Sequence, residues 1–214
     1  MTKSAHLPSE KPSLKVMCFL DFWNYELTIS SFEPGFRTDW FKLPEIFRGE
    51  VARIVGVPVT YEGLFVAGSY DANSSKDAKL YRWVNNVLAH IPGVTIDFAQ
   101  RQQKTQGPRC TGPEHHEIID CPRCGSSMLG TQEKGVDTRI VTEMLDKALT
   151  KQCDVLVLVS ADKDFIPAVE RLQNKNIKCI HAFFPNNGNE LGKRCWGSFN
   201  LFALRNQYRR TMSM

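Results

Sequence analysis

The run Val155-Leu156-Val157-Leu158-Val159-Ser160-Ala161-Asp162-Lys163-Asp164-Phe165 decides the fold. Its first part holds only valine and leucine, with no polar position to face water. A strand of that kind is buried on both sides, as strands are in parallel sheets covered by helices. The polar turn that follows, and the apolar spacing over residues 165–174, read as the passage from a strand into its crossover helix.

The same rhythm extends in both directions. Upstream, residues 137–151 place Ile140, Val141, Met144, Leu145, Ala148 and Leu149 on one helical stripe. Downstream come a strand over 177–184 and a final helix near 199–207. Toward the N-terminus lie a strand over 94–99, a helix over 78–91 closed by Pro92-Gly93, and a strand over 60–67. The first strand, 14–22, carries Asp21 at its end. A loop with Pro34 and Gly35 leads to a helix that Thr38 or Asp39 caps and that runs to about residue 55. The expectation is an α/β domain over 14–204: a mostly parallel sheet of about five strands between helical layers, with right-handed crossovers. Residues 1–13 read as a disordered lead-in, and 205–214 as a basic tail, frayed or touching nucleic acid.

Residues 101–130 break the rhythm. They are rich in Gly and Pro, lack apolar periodicity, and bring Cys110, His115, His116, Cys121 and Cys124 close together in sequence. A Cys-x-x-Cys-Gly turn lets two thiolates reach one tetrahedral ion. Cys110 and one of the two histidines would complete a closed Cys₃His shell, which is a structural Zn²⁺ site. Seven cysteines with no export signal argue against a disulfide framework. Cys18, Cys153 and Cys179 sit in strand-like runs as buried thiols. Arg101, Lys104, Arg109 and Arg123 make the insertion basic, either as a solvated loop or as a grip on a phosphate backbone.

The net charge of +4 permits a polyanionic partner without requiring one. No apolar run reaches the roughly 20 residues of a membrane-spanning helix, and the expected location is the cytoplasm. No glycine-rich loop follows the first strand, which excludes the usual nucleotide cradles. No order of Ser, His and Asp suggests acyl transfer. Oligomeric state is left open, a homodimer included.

Parallel α/β sheets bind ligands at the carboxyl ends of their strands, where the strand order reverses. Asp21 ends the first strand, Asp162 and Asp164 follow a later one, and Asp137 opens a helix that starts at the same edge. Two carboxylates 4 Å apart repel by about 4 kcal/mol at an effective dielectric near 20. A hard divalent cation relieves that cost, and oxygen-only ligands suit Mg²⁺ or Mn²⁺. Taken singly, each Asp also reads as a cap or turn residue.

Three segments in order now carry a resemblance. They are Asp21-Phe22-Trp23-Asn24, Lys134-Gly135-Val136-Asp137, and Ser160 through Phe165 with the following Ile166-Pro167, Val169-Glu170-Arg171-Leu172 and Ile177-Lys178-Cys179-Ile180. Together they resemble the NYN domain family of PIN-like nucleases, with LabA-like bacterial members, over residues 15–204 apart from the insertion. The resemblance implies a PIN-like three-layer sandwich and hydrolysis of phosphodiesters, usually in RNA, by water activated at a Mg²⁺ or Mn²⁺ carboxylate cluster. Asp21, Asp137 and Asp162 would be the principal ligands, with Asp164 completing the set and Asn24 holding the site through its amide. Ser160 would hydrogen-bond a carboxylate and Lys134 would meet a phosphate. Lys163 departs from the small or polar residue expected between the two acids; it would pair with phosphate or partly neutralise the cluster. A non-catalytic RNA-binding or regulatory module of the same fold, and a DNA or structure-specific nuclease, are the alternative readings. Trp23 and Tyr25 would either stack bases at the cleft or pack the following loop.

Overall fold

The computed structural model describes residues 13–107, 112, 115–117, 119–126 and 128–211. The lead-in before Ser13, together with Cys110 and Arg109, lies outside the described residues. The chain runs β1 (Leu14–Asp21), α1 (Phe22–Phe32), α2 (Leu43–Val55), β2 (Val59–Tyr70), α3 (Ser75–Asn86) and β3 (Val94–Gln100). A two-residue ribbon, β4 (Gln102–Gln103) with β5 (Thr131–Gln132), pinches the base of the insertion. Then follow α4 (Val136–Leu149), β6 (Val155–Val159), α5 (Ile166–Gln173), β7 (Lys178–Phe183), α6 (Asn189–Arg194) and β8 (Gly197–Asn200).

The sheet has six strands in the order β3-β2-β1-β6-β7-β8, every pairing parallel. The sixth strand corrects the expected count. β8 is short and only Phe199 is buried on it, so it shows no alternation from which to read it. The helix expected there is instead this strand and one 3₁₀ turn, Phe202–Leu204. Strand order reverses between β1 and β6.

Alternation sorts the core into two layers. Val16, Cys18 and Leu20 of β1, with Val155, Val157 and Val159 of β6, pack under α1, α2 and α3. Met17 and Phe19, with Leu156 and Leu158, pack under α4 and α5. The α4 stripe is Val136, Ile140, Met144 and Ala148, one residue per turn. Cys18, Cys153 and Cys179 are buried thiols. Among the described residues no helix is long and apolar enough to cross a membrane.

Helix α1 stands where the sequence leads one to expect the last residue of the first strand and then a loop. Asp21 caps it by accepting from the Asn24 N–H at 3.1 Å, and Phe22, Tyr25 and Ile29 form its buried face. Tyr25 is fully buried, and its hydroxyl shares a hydrogen bond with Thr38. Thr38 is therefore spent on Tyr25 rather than on a cap, and α2 begins later, at Leu43, with Pro44 in its first turn.

Glu26, on the partly covered side of α1, has a carboxyl pushed up to about 7 by burial alone. The folded value lies above the unfolded one, so its cost is absent at acid pH and grows as pH rises through that range. Glu26→Gln is therefore expected to stabilise the fold by about 1 kcal/mol at pH 8 and to be neutral near pH 4. Urea melts at the two pH values check this; an equal effect at both would refute it.

The C-terminal segment packs against the body. Tyr208 is fully buried, sets its ring against Phe36, and donates its hydroxyl to the Leu201 carbonyl at 3.0 Å. Backbone bonds join Asp39 to Tyr208 and Arg210 to Arg37. Glu33 accepts from both Arg205 and Arg209. Residues 205–210 are thus part of the domain; their charges mask one buried aromatic.

A carboxylate edge at the strand-order reversal

Parallel strands deliver every carboxyl end to one rim, and the reversal between β1 and β6 leaves Asp21 and Ser160 as neighbours across it. Asp21 is 8 % exposed. Its two oxygens do different things: one caps α1, and the other accepts from the Ser160 hydroxyl at 3.4 Å. Ser160 also accepts from the Asp162 N–H at 3.2 Å. The Asn24 side-chain oxygen takes the Ala161 N–H at 2.9 Å, tying the start of α1 to the loop after β6. Asp162 in turn caps the following 3₁₀ turn through the Asp164 N–H.

Helix α4 begins at this rim because Gly135, in the left-handed region at φ 82°, turns the chain into it. Asp137 lies in its first turn and caps nothing. Burial, then the nearby Asp162, Glu133 and Asp164 charges, raise the Asp137 carboxyl above its ordinary value. Asp21 is pushed up to about 6, first by burial and then by Asp137 and Glu133, against the lowering effect of its bonds from Asn24 and Ser160. The acids therefore share one electrostatic field. Among the described residues none of Asp21, Asp137, Asp162 and Asp164 forms an ion pair, and Lys134 and Lys163 form none either. Lys163 does not neutralise the cluster through an ion pair.

Glu133 is the member that sequence reasoning missed. It precedes Lys134, follows β5, and accepts from the Ser69 hydroxyl at the end of β2. Arg101 donates to the same hydroxyl at 2.9 Å and lies 4.0 Å from Glu133. The Arg101 guanidinium sits over the Trp23 ring at 5.3 Å, and the indole N–H donates to the Ser69 carbonyl. The available signal was position: the insertion enters after β3 and leaves just before α4, so its two ends meet at the rim.

Of the expected zinc set, Cys110 lies outside the described residues, and His115, His116, Cys121 and Cys124 form no metal-holding group among those described. Among the described residues no three His, Cys, Asp or Glu side chains are placed to hold a metal ion as they stand, at the insertion or at the rim. His115 pairs with Glu117, and His116 bonds the Gly107 carbonyl. The Cys121–Cys124 turn itself is formed, with the Gly125 N–H on the Cys121 carbonyl at 2.8 Å. Hydrogen bonding with Ser126, to whose hydroxyl it donates, and with Cys121 holds the Cys124 thiol below its usual range.

A family model described as the NYN domain matches residues 15–196. A search of curated proteins gives no match. Among solved structures, the chain is similar to the crystal structure of a protein of unknown function from Vibrio parahaemolyticus, with a TM-score of 0.53 and 16% identity. The match covers 98% of this chain and 100% of that one, which shows a shared fold.

Proposed function

The chain belongs to the NYN domain family, whose members are typically nucleases, and on that premise we propose that it is a metal-dependent ribonuclease. The observation that carries the reading is the carboxylate field at the reversal of strand order, where burial and then Asp137 and Glu133 raise Asp21 to about 6 and, among the described residues, no ion pair offsets the four acids. Folding has spent stability to gather these charges, and hard oxygen donors with excess negative charge fit a divalent cation. Asp21, Asp137, Asp162 and Asp164 would hold Mg²⁺ or Mn²⁺, which supplies polarisation of a phosphate and compensation of developing negative charge. The chain's own groups do the rest. Ser160 and Asn24 fix the loop that carries Asp162, while exposed Lys134 and Lys163 are free to meet phosphate oxygens. Arg101 on Trp23 adds a cation held flat against a ring, suited to a backbone phosphate beside an unstacked base.

The test is cleavage of labelled RNA and DNA with Mn²⁺ or Mg²⁺, beside the Asp21→Asn and Asp162→Asn chains. RNA cut by the wild type alone supports the proposal. Binding without metal-dependent cutting would make the chain an RNA-binding module, and cutting of DNA alone would make it a DNA nuclease.

The same reading extends to a structural zinc ion at Cys121 and Cys124, supported by the formed turn and the lowered Cys124 thiol. Protein purified without added metal is expected to carry about one zinc per chain by elemental analysis. Stoichiometric free thiols at both cysteines would count against it.

A further inference from the structure

Next to the carboxylate rim the sheet has a second concavity. Helix α6 crosses β7 and the edge strand β8, leaving a cleft of about 380 Å³ lined by His181, Phe183, Lys193 and Ser198 among others. A second hollow of about 310 Å³ holds Asp162 and Lys163, and the two share Gly188 and Asn189. The cleft therefore runs on from the rim. Its volume lies at the small end of ligand sites, which span roughly 300–1,000 Å³.

His181 gives the cleft its chemistry. It is 1 % exposed, and its Nε2–H donates to the Ser160 carbonyl at 2.8 Å. Burial pushes its pKa down, so the ring is neutral with one proton, already committed to that bond. Nδ1 is therefore an acceptor, and it is the one buried side-chain nitrogen among the described residues with no partner. Such a group costs about 1–3 kcal/mol when left unpaired.

Two glycines shape the approach to the ring. At Gly188, φ 69°, a Cβ would come within 2.8 Å of His181 Cε1 and 3.0 Å of the Ala161 backbone, so the turn seats directly on the ring and the rim loop. At Gly192, a Cβ would lie 3.1 Å from Nδ1, and apart from the adjoining residues and the helix's own backbone the imidazole is what lies within 4 Å of that point. Glycine at 192 thus keeps side-chain atoms off the unpaired acceptor.

We infer that this cleft is a subsite for one nucleotide of the substrate, in which His181 Nδ1 accepts a hydrogen bond from an amino or imino N–H of the base. The inference rests on the nuclease reading for its substrate class. Phe183 offers a half-buried ring, and Asn189 and Ser198 meet further base or sugar atoms. Lys193 at the mouth and Lys163 toward the rim bracket the flanking phosphates. An unpaired, splayed base is required to enter, so the subsite selects single-stranded RNA.

The experiment titrates the ¹⁵N-labelled full chain, in EDTA, with each of the four ribonucleoside 5′-monophosphates and follows the His181 ring nitrogens by NMR. At least one nucleotide is expected to shift the Nδ1 resonance. Gly192→Ala, which places a methyl about 3.1 Å from Nδ1, is expected to weaken that binding about tenfold, with the rest of the spectrum unchanged; Lys193→Ala is expected to weaken it less. No shift with any nucleotide, or unchanged binding by Gly192→Ala, overturns the subsite. A His181 shift without RNA cleavage upholds the subsite and removes the nuclease; cleavage without the shift does the reverse.

Discussion

Asp21→Asn is expected to cut metal-dependent RNA cleavage by on the order of 10²–10³-fold while making the metal-free protein more stable. The two effects have one cause. The Asp21 carboxyl is 8 % exposed and sits in the field of Asp137 and Glu133. Its folded pKa of about 6 stands above the ordinary 3.8. A raised acid favours the folded state only while protonated. Its cost is therefore absent below the unfolded value, grows as pH rises through the interval, and is complete at neutral pH. The full linkage is roughly 3 kcal/mol; partial solvation reduces the expected gain to about 1–2 kcal/mol. The one carbonyl oxygen of asparagine still accepts from the Asn24 N–H, so the cap survives, and its amide N–H donates to the Ser160 hydroxyl in place of accepting from it. In EDTA at pH 7.5 the variant should melt roughly 3–6 °C higher, and at pH 4 the difference should nearly vanish. A variant that cleaves as well as the wild type, or melts lower at pH 7.5, contradicts this account of the rim.

Tyr208→Ala is expected to cost about 3–5 kcal/mol, as removal of a buried aromatic does. That corresponds to a fall in melting temperature of roughly 10 °C. The ring fills the space between Phe36 and the layer under α1 and α2, and the hydroxyl satisfies the Leu201 carbonyl. Tyr208→Phe isolates the hydroxyl and should cost about 1 kcal/mol. Calorimetry on the two variants decides it, since a loss under 1 kcal/mol for the alanine chain would mean that the C-terminal segment is frayed in solution.

The parts of the fold that were legible are those with a single dominant force. Val155 to Val159 could only be buried on both faces, and the α4 stripe could only be a helix, so the layered parallel sheet followed. The carboxyl-end rule then carried Asp21, Asp137, Asp162 and Asp164 to one rim. What escaped has physical reasons too. Helix α1 was obscured because its first residues are aromatic and its cap, Asp21, is also a candidate ligand. Strand β8 has too few residues for alternation to show. Tyr208 was hidden by arginines that face outward around it. Glu133 reaches the rim because β5 places it there, through a pairing across 30 residues of sequence that no local pattern announces (Gln102 with Gln132).

That ribbon has a consequence for how the chain tolerates change. The segment it encloses leaves and re-enters the domain at one point, as a side branch, so its length is nearly decoupled from the body. Closing a longer or shorter loop there changes chain entropy only logarithmically, by about 0.6 kcal/mol per doubling. The branch can be trimmed to a tight turn, enlarged or exchanged for a foreign module while β3, Glu133 and α4 keep their places. The rim and the branch are thereby free to diverge at separate rates, one bound by charge geometry and the other by whatever it touches.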